Sequence, residues 1–264
     1  MAAMKFRGIS ILFSLFFTLG AGDPKTLELV GKYSAAEMNV QGQLYVIDEA
    51  NNLLLFSQKG DTLKKISVTN YGSDPLIDAS NPLEPVVFFP VTGKAVWMDN
   101  QLNTQNELDI IKAGITQISG FGRSNDGNVW VVDYNTKSLK KIGKNGGVLQ
   151  ESVWLSDYQW GGKTNRVYDN GQQVVFADGR EHVFVFDQNL NLKTRRKGRE
   201  ELVGIGAEKL YLMDGNFLTD VRHEGILHET KDTIFLTKDS TQMLAVNSGF
   251  VLMRSRSGVI LQSK

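Results

Sequence analysis

The stretch Asn125–Leu149, NDGNVWVVDYNTKSLKKIGKNGGVL, decides how the rest of the chain is read. VWVVD is apolar at nearly every position up to its Asp, as a strand covered on both faces is. YNTK supplies turn residues, SLKKI is a second strand, and KNGG is a second turn before the more polar VLQES. The lengths and the β-branched and aromatic content argue against helix.

The same unit recurs outward in both directions. LYVID (Leu44–Asp48), VVFFP (Val86–Pro90), VVFAD (Val174–Asp178), LYLMD (Leu210–Asp214) and MLAVN (Met243–Asn247) each lead through a short turn into another apolar strand. Their last residues lie 42, 43, 45, 36 and 33 positions apart, counted from Asp48 to Asn247. Short segments such as ITQISGF, RVYD, LVGIG and IFLTK precede the first strand, and polar segments such as TLKKISV follow the second. Each unit therefore has four antiparallel strands. Six such units predict an all-β, six-bladed β-propeller of four-stranded antiparallel blades. TLELV (Thr26–Val30) and VILQS (Val259–Ser263) compete for the last outer-strand place, and pairing side by side would join the first and last blades.

The units resemble NHL-like propeller repeats, with Asn125–Leu149 the nearest match. YGSDPLIDASNPLEPVVFFP (Tyr71–Pro90) and WMDNQLN (Trp97–Asn103) are similar to segments of a group of uncharacterised exported propeller proteins of the Bacteroidota. That resemblance implies the fold and export but no activity. Six-bladed propellers include calcium-dependent lactonases and related hydrolases, so it also implies a place to look: acids and amides around the central channel. Glu37, Asn39, Asp78 and Asp169 are the residues to inspect there.

The N-terminus carries its own signal. Lys5 and Arg7 precede an apolar run of 11 residues, Ile9–Leu19, and then the small residues GAG. This is the layout of a secretory signal peptide, too short to span a membrane, with cleavage expected near Gly22. The expected organisation is a signal peptide over 1–22 and one propeller domain over 23–264, periplasmic or secreted and monomeric, with no transmembrane segment.

The 29 basic and 29 acidic residues balance, and without Lys5 and Arg7 the bases fall to 27. Such a chain has no electrostatic footprint for nucleic acid. It contains no cysteine, which excludes thiol chemistry. KTRRKGR (Lys193–Arg199) is a solvated outer strand or a docking patch for an acidic partner. The three histidines, His182, His223 and His228, have no third ligand near the pair in HEGILH. No nucleophile elbow, zinc helix or phosphate loop is present.

Asp48, Asp133, Asp178 and Asp214, with Asn247, would form either an acidic ring or the turn-capping device of each blade. Recurrence in nearly every unit favours the second, because a binding site needs convergence at one place. The longest link, WLSDYQWGGKTN (Trp154–Asn165), carries Trp154, Tyr158 and Trp160 and is the stretch most like a ligand- or partner-binding surface. The sequence points to a non-enzymatic binding or scaffold protein of the cell envelope, presenting one face to a protein or glycan partner and needing no cofactor. The alternative is a calcium-dependent hydrolase or lactonase working in the channel.

Overall fold

A computed structural model describes residues 26–264 apart from positions 180, 199, 215–216, 224–228, 237–241, 248 and 264. Six four-stranded antiparallel sheets form the blades. After β1 (Thr26–Val30), blade one is β2 (Tyr33–Met38), β3 (Leu44–Asp48), β4 (Asn52–Phe56) and β5 (Thr62–Ser67). Blade two is β6 (Leu76–Asp78), β7 (Val86–Phe89), β8 (Lys94–Met98) and β9 (Thr104–Asp109). Blade three is β10 (Ile118–Arg123), β11 (Val129–Asp133), β12 (Ser138–Ile142) and β13 (Val148–Glu151). Blade four is β14 (Val167–Asp169), β15 (Gln173–Ala177), β16 (His182–Asp187) and β17 (Leu192–Lys197). Blade five is β18 (Glu201–Ile205), β19 (Lys209–Asp214), β20 (Phe217–His223) and β21 (Glu229–Leu236). Blade six is β22 (Gln242–Val246), β23 (Phe250–Arg254), β24 (Gly258–Ser263) and, outermost, β1.

Burial follows strand position. All five residues of β11 and of β12 are buried, including both lysines of SLKKI. Those lysines are tolerated because they are partnered. Lys140 Nζ lies 2.9 Å from Asp133, and Lys141 Nζ lies 2.9 Å from Asp126 and 4.7 Å above the Trp130 ring. The outer strand β5 alternates exposed and half-buried residues instead. Apolar side chains fill the seams between blades. Phe88 of blade two stacks on Phe121 of blade three at 4.3 Å, and each such buried aromatic contributes about 1.5–3 kcal/mol. On the inner strands two glycines let neighbours close up. A Cβ at Gly122 would sit 1.8 Å from the Val167 carbonyl oxygen, and one at Gly204 would sit 2.0 Å from that of Val246.

The ring closes through β1, which pairs antiparallel with β24 from Thr26↔Gln262 to Val30↔Gly258. TLELV and VILQS thus lie side by side, joining the two ends of the chain. One strand assignment is corrected. MLAVN is the inner strand of blade six, not the strand after it, and most of IFLTK belongs to the outer strand of blade five. Asn247 therefore corresponds to Asn39, at the end of an inner strand, and not to Asp48.

Antiparallel order fixes two faces. Inner strands start on the face that carries the blade-to-blade links and the turns after the second strands, here the turn face. They end on the opposite face, where the central channel opens.

Candidate functional site

The channel mouth is a cavity of about 370 Å³ lined by the ends of all six inner strands and the turns that follow them. Three of the four residues singled out for inspection, Glu37, Asp78 and Asp169, line it. Asn39 stands beside it, fully buried. All four are engaged with the protein itself. Asp169 accepts from Trp130 Nε1 at 2.8 Å, Ser124 Oγ at 3.1 Å and the Asn125 N–H at 3.0 Å in blade three. Its other oxygen accepts from the Gly171 N–H at 2.7 Å and Gln188 Nε2 at 2.9 Å in blade four. It is a clasp between two blades. Asn39 caps its own turn, accepting from the N–H groups of Gln41 and Gln43, each at 3.0 Å. Asp78 accepts from the Arg123 N–H at 2.8 Å and the Ser80 N–H at 3.1 Å.

Glu37 accepts from the Met38 N–H at 2.9 Å and forms an ion pair with Arg166, whose same nitrogen donates to the Ile77 carbonyl. Burial pushes the Glu37 carboxyl above its ordinary range against the pull of Arg166. Burial opposes the charge on Arg166, but Glu37, Tyr168 and Asp78 outweigh it and hold the guanidinium firmly charged. Burial also lifts the Tyr168 phenol, so that it stays a neutral donor. Arg166 lies over the Tyr168 ring at 5.6 Å. Sequence reading missed Arg166 and Tyr168 because RVYD shows nothing but a short strand. No group of three or more His, Asp and Glu side chains placed to share a metal ion occurs among the described residues.

On the turn face, the recurring acids cap the turns that follow them. Asp48 accepts from the N–H groups of Ala50 and Asn52, Asp133 from Asn135 and Thr136, and Asp178 from Glu181 and His182. The turn after Asp214 includes positions outside the described residues, as does His228.

The aromatic link holds a 3₁₀ helix, Leu155–Tyr158, and divides its three aromatics. Trp154 is 67% exposed, whereas Trp160 is buried between blades three and four with its Nε1 donating to Thr164 Oγ1 at 3.1 Å. Tyr158 is half-buried, its ring 6.4 Å from that of Phe186. Trp154 has company on its face. Val153 adjoins it, Tyr134 is exposed in the blade-three turn, and Val91 and Ile111 are exposed in blade two. The basic run of β17 is largely paired: Lys193 with Asp187 at 3.1 Å, Arg196 with Glu200 at 2.7 Å and Lys197 with Glu181 at 3.6 Å. Arg195 donates to the Tyr158 carbonyl at 2.8 Å, and Arg199 lies outside the described residues.

No family model matches the chain, and no curated protein matches it in sequence. Solved structures match its shape. A streptogramin B lyase superposes with a TM-score of 0.65 at 11% identity, covering 91% of this chain and 98% of that one. The fold is a β-propeller. A virginiamycin B lyase from Staphylococcus aureus gives 0.61 at 11% identity over 90% and 98% of the two propellers. A protein of unknown function from Bacteroides caccae gives 0.51 at 13% identity over 76% and 82%. At such identities the likeness concerns the fold alone. No helix among the described residues is long and apolar enough to cross a membrane.

Proposed function

We propose that this chain is an exported, non-enzymatic binding protein of the cell envelope that docks a protein partner on the turn face of blades two and three. The observation that carries the reading is the gathering of exposed apolar side chains there: Val91, Ile111, Tyr134, Val153 and Trp154. Isolated exposed apolar residues need no explanation, but several on the same face of adjacent blades mark a surface that another protein covers. Trp and Tyr supply the rigid, large contacts that dominate such interfaces. Their mixture with aliphatic side chains suits a protein better than a glycan. The stretch from Lys5 to Gly22 supports export, and cleavage near Gly22 would leave β1 and the ring closure whole.

The alternative, a calcium-dependent hydrolase in the channel, asks for carboxylates with free coordination. Glu37 is tied to Arg166 and Asp169 accepts from five donors of two blades, which leaves Asp78 alone and weighs against it.

The test is co-purification from the envelope fraction with wild-type chain and with Trp154→Ala/Val153→Ser. A stoichiometric protein partner should be retained by the first and lost by the second, with unchanged melting of the variant. Retention by the double variant sinks the docking assignment. Recovery of chain that still begins at Met1 sinks the export assignment, and hydrolysis of a lactone that depends on added calcium would favour the alternative.

A further inference from the structure

We propose that the channel mouth, on the face away from the docking surface, is a separate site for a small uncharged polyol, a ligand of the size and chemistry of a sugar ring. Its volume of about 370 Å³ falls at the small end of the range for small-molecule pockets.

The wall has two unlike halves. Blades five and six, with the adjoining edge of blade one, present Val203, Ile205, Ala245, Val246, Met38 and Val40. Blades two to four, with Glu37 of blade one, present charged and amide groups, and the Asn247 amide marks the edge of the apolar half. A ligand seated there therefore needs one face of C–H groups and one edge that hydrogen-bonds. A sugar ring has both.

The cations of the polar half are already paired, and its remaining acids, Asp78 and Asp169, accept from neutral donors of the protein. Glu37 holds Arg166, and Arg123 Nη2 lies 3.1 Å from Glu84, which also holds Lys144. An anion would have to compete with these built pairs, and a cation would meet carboxylates already hydrogen-bonded to the protein. What remains unused is hydrogen-bonding capacity of both kinds. All the contacts of Arg166 to other polar groups pass through Nη2, leaving Nε and Nη1 without a hydrogen bond to the described residues. The Tyr168 hydroxyl and the Asn125 side-chain amide make none to the described residues either. Asp78 and Glu37 supply carboxylate oxygens that have each accepted only one bond. A carboxylate oxygen can accept two. A hydroxyl donates once and accepts twice, so a row of hydroxyls meets donors and acceptors together without requiring net charge.

The experiment uses the full chain and a panel of probes: glucose, galactose, mannose, N-acetylglucosamine and their disaccharides, with benzoate and calcium as charged comparisons. Calorimetry and saturation-transfer NMR read binding. At least one sugar should bind saturably and to the exclusion of the charged probes. Tyr168→Phe removes only a hydroxyl and should weaken binding roughly two- to tenfold, the loss expected for one hydrogen bond. Asn125→Ala, at an exposed position, should weaken it similarly with no change in melting. Trp154→Ala should leave it untouched, so this site and the docking surface stand or fall separately. The proposal is overturned if no sugar binds saturably, if bound sugar ignores both Tyr168→Phe and Asn125→Ala, or if benzoate or calcium takes the site in preference.

Discussion

Asp48, Asp133 and Asp178 do the same job in three blades, and Asp99 and Asp187 do it again at the turn after the third strand. Asp99 accepts from the N–H groups of Gln101 and Asn103, and Asp187 from those of Asn189 and Asn191. These last two turns share a pattern, DNQLN and DQNLN, in which Leu102 and Leu190 take φ of 60° and 62°. Blades one and three place Gly60 and Gly146 there, which adopt that conformation freely. For leucine it costs about 1–2 kcal/mol, offset by burial of the side chain, since Leu102 and Leu190 are 2% and 8% exposed. Losing a buried leucine costs about 2–5 kcal/mol. Leu190→Gly should therefore destabilise the fold, by about 1–3 kcal/mol. Lys137 poses the opposite case: it is exposed, with φ of 51° and no such compensation. Asn51 holds the matching place before the third strand of blade one, at φ of 56°. Asparagine tolerates this conformation better than lysine, so Lys137→Asn should stabilise by about 0.5–1 kcal/mol. Urea midpoints of the two variants should move in opposite directions, and a common direction would refute the argument. The Asp turns were legible in the sequence because the residue and its role recur together. The leucines were not, because a left-handed leucine carries no mark of its own.

At the scale of elements, the repeat showed the blades but not the phase of the last one. MLAVN and LYVID look alike because both are apolar runs closed by a residue that caps a turn. The Asn247 side chain does accept from the Gly249 and Phe250 N–H groups at 2.9 Å each, as a turn cap should. What differs is the strand it ends, and the short 33-residue spacing before it was the clue. Its amide also donates to the Asn39 carbonyl at 3.2 Å, stitching blade six to blade one. Asn170 repeats the device, donating to the Gly206 carbonyl of blade five at 2.7 Å. The candidate site was half legible for a related reason. Acids near the ends of inner strands stand out, so Glu37, Asp78 and Asp169 were within reach. Which of them are already spent depends on cross-blade partners that no local pattern reveals. Two expectations follow at this scale. A chain starting at Gly31 lacks β1, exposes the β24 edge and forfeits the burial of Leu29 against blade six. It should lose at least about 2 kcal/mol by calorimetry, the contribution of one buried leucine. Gly204→Ala must displace a backbone neighbour and should cost about 1–3 kcal/mol while spreading the mouth. Full stability of either protein would contradict the packing described for the inner ring and its closure.

For the whole molecule, the same carboxylates that shape the turns tie its stability to pH. Asn191, with lesser help from Lys193 and backbone N–H groups, brings the Asp187 carboxyl down to about 2. At Asp126 burial pushes the carboxyl up, but Lys141, Ser124 and the Asn128 N–H outweigh it and also bring it to about 2. Asp48, Asp99, Asp109, Asp133 and Glu84 are lowered as well. An acid whose folded value is depressed stabilises the fold above its unfolded value, about 3.9 for Asp, and that contribution vanishes as pH falls through the folded value. Glu37 and Glu201 act in the opposite sense, because burial raises both and folding therefore favours their protonated forms. The lowered groups outnumber these two and are spread over blades one to four, so the net slope is theirs. Unfolding free energy from denaturant titrations should fall steeply between about pH 4 and pH 2. Asp126→Asn/Asp187→Asn should be less stable than the parent near neutrality, and the gap should narrow across that same window. A stability that rises on acidification, or a gap that stays constant, would mean that these carboxylates are solvated and that the turns hold the blades by backbone geometry alone.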